Sequence, residues 1–586
     1  MKKFISIITA LLLILSPAAA TPVFAQESQN ICDELDRMIQ SMVENDKSKG
    51  AVLSIVKEGK IELCKGYGFA DEYMCYDADG EKTAFRIGSV SKTFAAVAAQ
   101  ILEEEGKLDM DSDISIYLES DFPKLSYPVT MKQLLTHTAG FEDMVTGIAV
   151  RNVSDTEDLS VSVRKYLPAQ INKPGEIISY SNYGIALAAY VIECITNQDY
   201  SEFCQEHIFT PLDMNRTTFK YMQNIVYVSK PYLPNGNETL EPYMNLYPEG
   251  SVVSTAEDMA KYMQWLLNNS DMRILSSTSK NQLFTKQFTM SQELEGIGYI
   301  WNRKSRNDEI YYEKKGETLN FYTRTALFPK AETGVFLSFN TYVSEHEINA
   351  VIDKAANLLY GENQYNIDSP KSSINIKGVY VNNWSSFKTP EKILRYLIPG
   401  KMLYISGTEG SGYIINGKDM TLIGDNAYSS DAGILKFQSK NNTVIMSSES
   451  ALTYTRVPLW QHIFIQVLIP LAFIITTSAV FLMEMRILPG RNIEKNNLIF
   501  LFSSLIQIFS FIALCLLMYK AIATYSLLGL ASYLKICGWV IFLVVVFNTI
   551  YIIYVKVHSS LKGLSPIIWN LSGILFSLWI FWFNII

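Results

Sequence analysis

Residues that bind metals are scarce in this sequence. Among 586 residues there are five histidines and seven cysteines. The histidines are scattered, and no Cys-x-x-Cys or Cys/His cluster occurs. The acidic run Asp109-Met110-Asp111-Ser112-Asp113 lacks the later glycine and the terminal glutamate of a calcium-binding loop. We therefore predict no metal site and no cofactor.

Basic patches are missing as well. The net charge is −8 at pH 7, and no cluster of Lys and Arg precedes the apolar region at the C-terminal end. Nucleic-acid-binding domains carry such clusters, so nucleic acid is not an expected partner. The sequence gives no indication of the oligomeric state.

The number of cysteines leaves their pairing open. Cys515 and Cys537 fall in or beside apolar segments, and the other five cannot all pair within the chain. Cys64–Cys75 and Cys194–Cys204 are candidate disulfides. Unpaired thiols that behave as small apolar residues are the alternative.

The first 25 residues have the features of a secretory signal peptide. Two lysines precede an apolar stretch from Phe4 to Leu15, and Val23-Phe24-Ala25 is a small-residue cleavage site. We predict cleavage before Gln26. A retained anchor helix is the alternative, and it is disfavoured because the apolar stretch is short and is followed by Pro17.

Long apolar runs are concentrated at the C-terminal end. Four segments each approach the ~20 residues that cross a bilayer, namely Ile463–Met483, Leu498–Tyr519, Ile536–Val555 and Ile567–Ile586. The two loops after the first and third segments hold five Lys and Arg, and the loop between the second and third holds two. By the positive-inside rule this predicts a multi-pass cell-membrane protein with everything before Ile463 on the extracytoplasmic side. The segments contain no Asp, Glu, Lys or Arg, so we interpret them as an anchor.

The exported part divides into two regions. Strand-like runs at Ala51–Lys57, Ile61–Lys65, Ile297–Trp301, Asn320–Phe328 and Gly334–Phe339 surround a mainly helical middle and a closing helix at Val343–Leu359. This order predicts an α/β sheet domain with a helical lobe. A polar linker follows, and short runs with glycine turns up to residue 458 predict a small β-rich domain. The expected units are residues 1–25, 26–362, 363–458 and 459–586.

One Ser-x-x-Lys tetrad, Ser89-Val90-Ser91-Lys92, lies where an extended segment gives way to a helix. Residues three apart share a helical face, so the Lys92 amine can lie beside the Ser89 hydroxyl. Free N–H groups at the helix start favour developing negative charge. The same spacing recurs six times elsewhere, starting at Ser54, Ser162, Ser277, Ser385, Ser532 and Ser559. Context must therefore decide that Ser89 is an activated nucleophile.

A Tyr-x-Asn triplet at Tyr180 and a Lys-x-Gly triplet at Lys314 are candidate companions. Tyr-x-Asn also occurs at Tyr243 and Tyr380, so the triplet alone is a weak signal. A free tyrosine has a pKa of about 10 and needs nearby cations to act as a base. Lys92 and Lys314 are the candidate cations.

Together these motifs make residues 45–345 resemble the serine β-lactamase and penicillin-binding-protein superfamily, in its class C-related branch. Six landmarks occur in order, namely Phe85–Thr93, Glu105–Asp111, Leu134–Gly140, Pro174–Gly184, Gly250–Met259 and Lys314–Gly316. The resemblance implies a β-lactamase/transpeptidase-like sheet with a helical lobe. In this chain it would be followed by the β-rich domain and a four-helix transmembrane region.

The resemblance also implies a role for each site residue. Ser89 matches the acylated nucleophile, Lys92 its neighbouring base and Tyr180 the proton shuttle. Asn182 matches the residue that binds the substrate amide, and Lys314 the cation of the third motif. Gly316 completes that motif, and the N–H groups of Ser89 and Glu317 match the oxyanion hole. His137 occupies a position that is structural in this family.

The third motif departs from the family pattern. It usually reads Lys-Thr-Gly, Lys-Ser-Gly or His-x-Gly, whereas Lys315 stands in the middle here. The hydroxyl that holds a substrate carboxylate is therefore missing. This puts efficient β-lactam hydrolysis and strict D-Ala-D-Ala carboxypeptidase activity in doubt.

The resemblance implies a membrane-anchored serine hydrolase that acts through a Ser89 acyl-enzyme. Its substrate would be a peptide amide or ester, with a peptide containing D-amino acids as the expectation. An exported domain before membrane helices resembles anchored serine hydrolases of Gram-positive bacteria. It also resembles peptidases that remove an acyl-D-amino-acid cap from antibiotic precursors, which typically carry three helices directly after the catalytic domain. A non-catalytic penicillin-binding or sensor module is a further alternative.

Overall fold

The computed structural model describes residues 22–219, 227–292, 294–362, 372–408, 412–430, 433–440, 442–448, 452–487, 495–523, 531–558 and 565–585. The apolar stretch of the predicted signal peptide lies outside these residues, as does most of the predicted linker. Both stay predictions. All seven cysteines are described, and none of them is in a disulfide.

The described part of the N-terminal domain contains twelve short or medium strands. In chain order they are β1 Gly50–Lys57, β2 Lys60–Asp71, β3 Tyr76–Asp77, β4 Thr83–Arg86, β5 Ala149–Val150, β6 Tyr227–Val228, β7 Tyr243–Met244, β8 Val253–Ser254, β9 Asn302–Arg306, β10 Glu309–Glu317, β11 Tyr322–Phe328 and β12 Thr333–Phe339. Seven of them form one antiparallel sheet in the order β3-β2-β1-β12-β11-β10-β9. The first and last parts of the domain therefore meet in the middle of the sheet.

The central strands of the sheet are buried on both faces and are mainly apolar. All eight residues of β1 are buried. One face packs against helices Pro22–Glu44 and Glu345–Tyr360, and the other packs against the helical lobe. This agrees with the near-continuous apolar run that a doubly covered strand requires.

Helices of the lobe span Lys92–Glu104, Met131–Leu135, Leu159–Lys165, Asn182–Thr196, Tyr200–Cys204, Ala256–Leu267 and Ser277–Gln282. Several of these helices start with a capping side chain. Ser181 accepts the N–H of Gly184, and Thr255 accepts the N–H of Asp258. Such caps satisfy the free N–H groups of the first turn.

One predicted strand is wrong. The run Ile297–Trp301 forms no strand, and strand β9 begins one residue later, at Asn302. Trp301 is fully buried, and Ile300 has a left-handed backbone with a φ of 70°. The run has the apolar side chains of a strand because it is a buried loop, and a buried loop also needs apolar side chains.

The predicted β-rich domain is a closed barrel. Its eight strands are β13 Gly378–Asn382, β14 Met402–Thr408, β15 Gly412–Ile415, β16 Lys418–Gly424, β17 Ala427–Ser430, β18 Gly433–Lys440, β19 Thr443–Ser448 and β20 Thr453–Val457. Each strand pairs with its chain neighbour, and β13 pairs with β20 to close the barrel. Tyr380, Tyr413, Tyr428 and Phe437 pack edge to face in the interior.

Four apolar helices follow the barrel, at Ile463–Ile487, Lys495–Ala523, Ala531–His558 and Ser565–Trp582. Within the described residues, three of them are long and apolar enough to cross a membrane. The expectation of four spans is therefore too high by one. The last apolar stretch, Pro566–Trp582, is shorter, and about 17 residues at 1.5 Å each reach less than the ~30 Å of a hydrocarbon core.

Residues 383–396 connect the three parts, and we call this segment the strap. The Glu142 carboxylate of the lobe accepts the N–H groups of Phe387 and Lys388 at 2.5 and 2.7 Å. In return, the buried Glu391 accepts the N–H groups of Val145 and Thr146 at 2.6 and 2.8 Å. These reciprocal charged hydrogen bonds fix the strap against the lobe.

The far end of the strap contacts the helix bundle. The Lys392 ammonium donates to the main-chain oxygen of Trp582 at 2.5 Å. The Tyr396 ring packs against Trp582 and Phe583. The strap therefore runs from the helical lobe to the end of the last apolar helix.

Candidate active site

Ser89 lies in a tight turn, Gly88–Ser91, between strand β4 and helix Lys92–Glu104. Gly88 has a φ of +51°, and a Cβ there would lie 2.6 Å from the Glu317 nitrogen. A Cβ on Gly316 would lie 2.0 Å from the Ile87 oxygen. Both glycines are needed because the serine turn packs directly on the end of strand β10. This places the Ser89 turn beside the main-chain N–H of Glu317, as an oxyanion hole requires.

Lys92 is completely buried beside Ser89, as the i, i+3 spacing predicts. Its Nζ lies 2.8 Å from Ser89 Oγ, 2.5 Å from the main-chain oxygen of Glu249 and 2.9 Å from Glu249 Oε2. Burial by itself would lower the pKa of Lys92, but the Glu249 carboxylate and Tyr180 raise it above its usual value. Lys92 is therefore an ammonium that donates to Ser89.

Glu249 is a site residue that the sequence analysis missed. It ends the turn Tyr247–Glu249 and is only 4% exposed. The turn immediately precedes Gly250–Met259, which was recognised as a family landmark, but nothing in the local pattern marks the glutamate. Its contact with Lys92 joins residues 157 positions apart in the chain.

Tyr180 lies over both lysines. Lys92 Nζ and Lys314 Nζ are 5.2 and 5.1 Å from the centre of its ring. Burial raises the pKa of Tyr180, while Lys92 and hydrogen bonds with Ser89 and Lys92 act in the opposite direction, and the net shift is upward. Tyr180 therefore contacts the nucleophile and its ammonium, as predicted, but it is a neutral phenol at pH 7.

His137 packs against the Tyr180 ring with a centroid distance of 4.2 Å. Its Nδ1 accepts the N–H of Ser181 at 3.3 Å. Burial and the cations Lys314 and Lys92 hold the pKa of His137 well below its usual value. A neutral, buried ring in this position orients Tyr180, which agrees with the expected structural role.

The third motif provides one buried lysine to the site. Lys314 is 3% exposed, and burial together with Lys92 keeps the pKa of Lys314 well below its usual value. The ammonium of Lys315 is ion-paired with Glu345 at the start of helix Glu345–Tyr360. Lys315 carries no hydroxyl, and its ammonium is held by this carboxylate in the lining of the cavity.

Asn182 stands at the first position of helix Asn182–Thr196. Its Oδ1 is buried and has no hydrogen-bond partner in the part of the chain that the structure describes. An amide oxygen without a partner at a cavity wall is available to a ligand. The structure thus brings Ser89, Lys92, Tyr180, Asn182 and the third motif to one place.

A cavity of about 380 Å³ opens above these groups. Ser89, Tyr180, Asn182 and Lys314 line its polar part. Its apolar wall includes Val145, Ile148, Met244, Ile297, Leu319 and Trp384. The site therefore combines a few convergent polar groups with an apolar wall, as small-molecule sites do.

Trp384 is the second site residue that the sequence analysis missed. It belongs to the strap, and its ring packs on Tyr180 at a centroid distance of 4.9 Å. The Lys401 ammonium lies 3.7 Å from the centre of the Trp384 ring and 3.2 Å from Asp143. The β-rich domain, for which no chemistry was predicted, therefore contributes a wall of the site.

The matching family model confirms the expected family. The model described as Beta-lactamase matches residues 35–358, which is more than half of the chain. The chain belongs to the Beta-lactamase family. Membership in this family agrees with the predicted serine hydrolase.

Two curated relatives show how far the sequence similarity extends. Protein flp of Staphylococcus aureus (strain MW2) is 28% identical over 328 residues, which are 53% of this chain and 64% of flp. PbpX of Bacillus subtilis (strain 168) is 31% identical over 251 residues, which are 42% of this chain and 60% of PbpX. The chain thus matches less than two thirds of the length of these relatives.

Solved structures share the fold beyond the Beta-lactamase domain. The octameric penicillin-binding protein homologue from Pyrococcus abyssi has a TM-score of 0.50 at 20% identity, over 72% of this chain and 100% of that chain. SurE has a TM-score of 0.54 at 16% identity, over 74% of this chain and 100% of that chain. Both cover more of this chain than the Beta-lactamase model does, and they confirm the predicted fold class.

Proposed function

We propose that this protein is a membrane-anchored serine hydrolase that cleaves an amide or ester through a Ser89 acyl-enzyme. The single observation that carries the proposal is the position of Ser89 Oγ, 2.8 Å from Lys92 Nζ, which itself lies 5.2 Å from the centre of the Tyr180 ring. An acyl transfer needs a nucleophile, a group that moves its proton and donors for the oxyanion. The cavity supplies all three.

In the proposed mechanism, Tyr180 first loses its proton to solvent, and the Ser89 oxygen then attacks the substrate carbonyl while the serine proton passes to the Tyr180 phenolate. The carbonyl electron pair moves onto the oxygen, where the N–H groups of Ser89 and Glu317 stabilise the oxyanion. The Tyr180 phenol then gives its proton to the leaving amine or alcohol, and the ester to Ser89 forms. Water reverses these steps to release the acid. Lys92 stabilises the phenolate and donates to the serine oxygen throughout.

The cavity wall and the family support a proposal for the substrate class. Apolar side chains line much of the cavity, and Asn182 Oδ1 is available to an amide N–H. We propose a peptide amide or ester with an apolar residue of D-configuration at the acyl side. SurE, which shares the fold, has also been solved with D-Leu.

The setting in the membrane is part of the proposal. Signal peptide, loop charges and the three apolar helices support a multi-pass protein whose Ser89 domain is on the extracytoplasmic side. A count of three spanning helices does not separate the anchored hydrolases from the peptidases that remove an acyl-D-amino-acid cap. The barrel between the catalytic domain and the helices favours the hydrolases, since those peptidases typically have their helices directly after the catalytic domain.

One observation favours a second candidate, a binding or sensor module. Lys315 replaces the motif hydroxyl and is paired with Glu345, so a classical penicillin carboxylate loses one of its partners. A sensor would bind or be acylated without turnover. Multiple turnovers of a D-aminoacyl amide or ester that depend on Ser89 would exclude this candidate as the sole function.

Covalent labelling tests the nucleophile. A fluorescent phosphonate and a fluorescent penicillin are added to the full-length protein, to Ser89→Ala and to Ser277→Ala. Ser277 is a matched control because it begins another Ser-x-x-Lys tetrad, whose Lys280 donates to the main-chain oxygens of Trp265, Asn268 and Asp271. We expect at least one probe to label the wild type and Ser277→Ala but not Ser89→Ala. Equal labelling of Ser89→Ala contradicts the assignment.

A further inference from the structure

A buried ion pair stands behind the nucleophile, and the family landmarks did not reveal it. Lys92 has no exposed surface, and Glu249 is 4% exposed. Three oxygens lie within 2.9 Å of Lys92 Nζ, two of them from Glu249. An ammonium has three hydrogens to donate, and a neutral amine has only two. The two Glu249 oxygens can only accept hydrogen bonds, and the Glu249 carboxylate forms an ion pair with the charged form of the lysine.

The position of Glu249 is fixed by its turn. Pro248 lies inside the turn Tyr247–Glu249, and the next residue, Gly250, is held by a hydrogen bond from its N–H to the Tyr247 oxygen. The Tyr247 hydroxyl accepts the N–H of Ser201 at 3.2 Å. The carboxylate and the main-chain oxygen of Glu249 are thus presented together to one ammonium. A buried carboxylate with this geometry is costly unless it has a partner.

We propose that Glu249 is a positioning residue of the acylation step, whose carboxylate keeps Lys92 in the ammonium form so that the Ser89 proton passes to Tyr180 and not to Lys92. This inference rests on the proposed function. It assigns the two proton-handling groups different roles, with Lys92 as a fixed donor and Tyr180 as the group that gains and loses the proton.

The charges around the pair support this division. Glu249 faces Lys92 from the turn, Tyr180 from the loop before helix Asn182–Thr196, and Lys314 from strand β10, with His137 behind Tyr180. Burial is the largest influence on the pKa of Lys92 and lowers it. The Glu249 carboxylate is the second largest influence and raises the pKa of Lys92. The same carboxylate also raises the pKa of Tyr180. Glu249 therefore sets the pH range in which an ammonium and a phenolate coexist.

The loss of the Glu249 charge should change the dependence of kcat/KM on pH in a definite direction. The acidic limb reports the loss of the Tyr180 proton, and the alkaline limb reports the loss of the Lys92 proton, both as properties of the coupled pair. Since Glu249 raises both pKa values, Glu249→Gln lowers both. We expect both limbs to move toward lower pH by about one pH unit or more, the size that loss of a neighbouring charge produces.

The test uses the full-length protein in detergent with a small ester or D-aminoacyl amide. The variants are Glu249→Gln, the conservative Glu249→Asp and the control Asp258→Asn. Asp258 is 1% exposed and accepts hydrogen bonds from Arg216 and Thr217, but it does not line the cavity. We expect Glu249→Asp to keep both limbs near wild type and Asp258→Asn to change stability without moving the limbs. A uniform loss of rate with unmoved limbs in Glu249→Gln would overturn the proposal.

A second measurement does not need turnover. The tyrosinate absorbance of Tyr180 is obtained as the difference between each protein and its Tyr180→Phe counterpart, over a range of pH. We expect this titration to move to lower pH in Glu249→Gln. An unchanged titration overturns the role of Glu249 even if Ser89-dependent turnover is found. A shifted titration without any turnover in the wild type rejects the proposed function and leaves the charge relation between the three residues established.

Discussion

Removal of the Tyr180 hydroxyl is the sharpest perturbation that the site offers. Tyr180→Phe deletes one oxygen atom, and the ring keeps its contacts with His137 and Trp384 at 4.2 and 4.9 Å. The serine, its ammonium and the oxyanion donors stay in place. The variant therefore separates proton transfer from packing.

The expected loss can be worked out from what the hydroxyl does. A positioned general base or acid contributes about 10²- to 10⁴-fold in rate, which corresponds to about 2.7–5.4 kcal/mol of activation free energy. The lost hydrogen bonds of one neutral hydroxyl cost about 1 kcal/mol of folding free energy. We expect kcat/KM to fall at least ~10²-fold while the thermal unfolding midpoint stays near that of the wild type.

The assay measures hydrolysis of a chromogenic ester or D-aminoacyl amide by the full-length protein, next to a thermal unfolding scan. Lys92→Ala is a less clean comparison because it leaves the Glu249 carboxylate buried without its partner. Breaking a buried ion pair in this way costs about 3–5 kcal/mol, so Lys92→Ala is expected to lose stability as well as rate. A Tyr180→Phe variant with wild-type kcat/KM would refute the shuttle role and the mechanism built on it.

Two further outcomes are expected. Trp384→Ala removes an apolar part of the cavity wall. Apolar surface that a substrate buries against such a ring contributes about 1–3 kcal/mol, so KM for an apolar substrate should rise several-fold to about 100-fold. An unchanged KM in steady-state kinetics would show that the barrel does not shape the site. Residues 26–458 expressed alone contain every catalytic group and should be soluble and cleave a small soluble substrate; complete inactivity of a folded truncation, checked by circular dichroism, would contradict the interpretation of the helices as an anchor.

Local spacing explains why part of the site could be predicted from the sequence. Ser89 and Lys92 are three residues apart at the start of a helix, so helical geometry alone brings them together. Tyr180 and Lys314 are far away in the chain and were found through their family motifs. The hairpin of β1 and β2 and the helix Asn182–Thr196 were predictable because their apolar periodicity and end signals agree.

The other features of the site and of the fold depend on contacts that no local sequence pattern encodes. Glu249 reaches Lys92 across 157 residues, and an isolated glutamate in a turn looks the same as a solvated one. Trp384 reaches Tyr180 because Glu142 and Glu391 dock the strap on the lobe. Closure of the barrel depends on the pairing of β13 with β20, the first and last of its strands. Tertiary contacts decide these features, and the pattern of one segment does not contain them.

The short connection between the barrel and the first apolar helix has a consequence for how substrate arrives. Strand β20 ends at Val457 and the helix begins at Ile463, with the Trp460 ring packed on Trp582 at 5.0 Å. Five residues span at most about 18 Å when fully extended, so in the proposed membrane setting the barrel and the catalytic domain that it contacts would stay near the bilayer. Under the proposed function, a substrate held in the same membrane would meet Ser89 by diffusion in two dimensions, and this would raise the effective concentration of the substrate. A dissolved substrate gains nothing from this arrangement, so the reaction rate depends on where the substrate is anchored as well as on its chemistry.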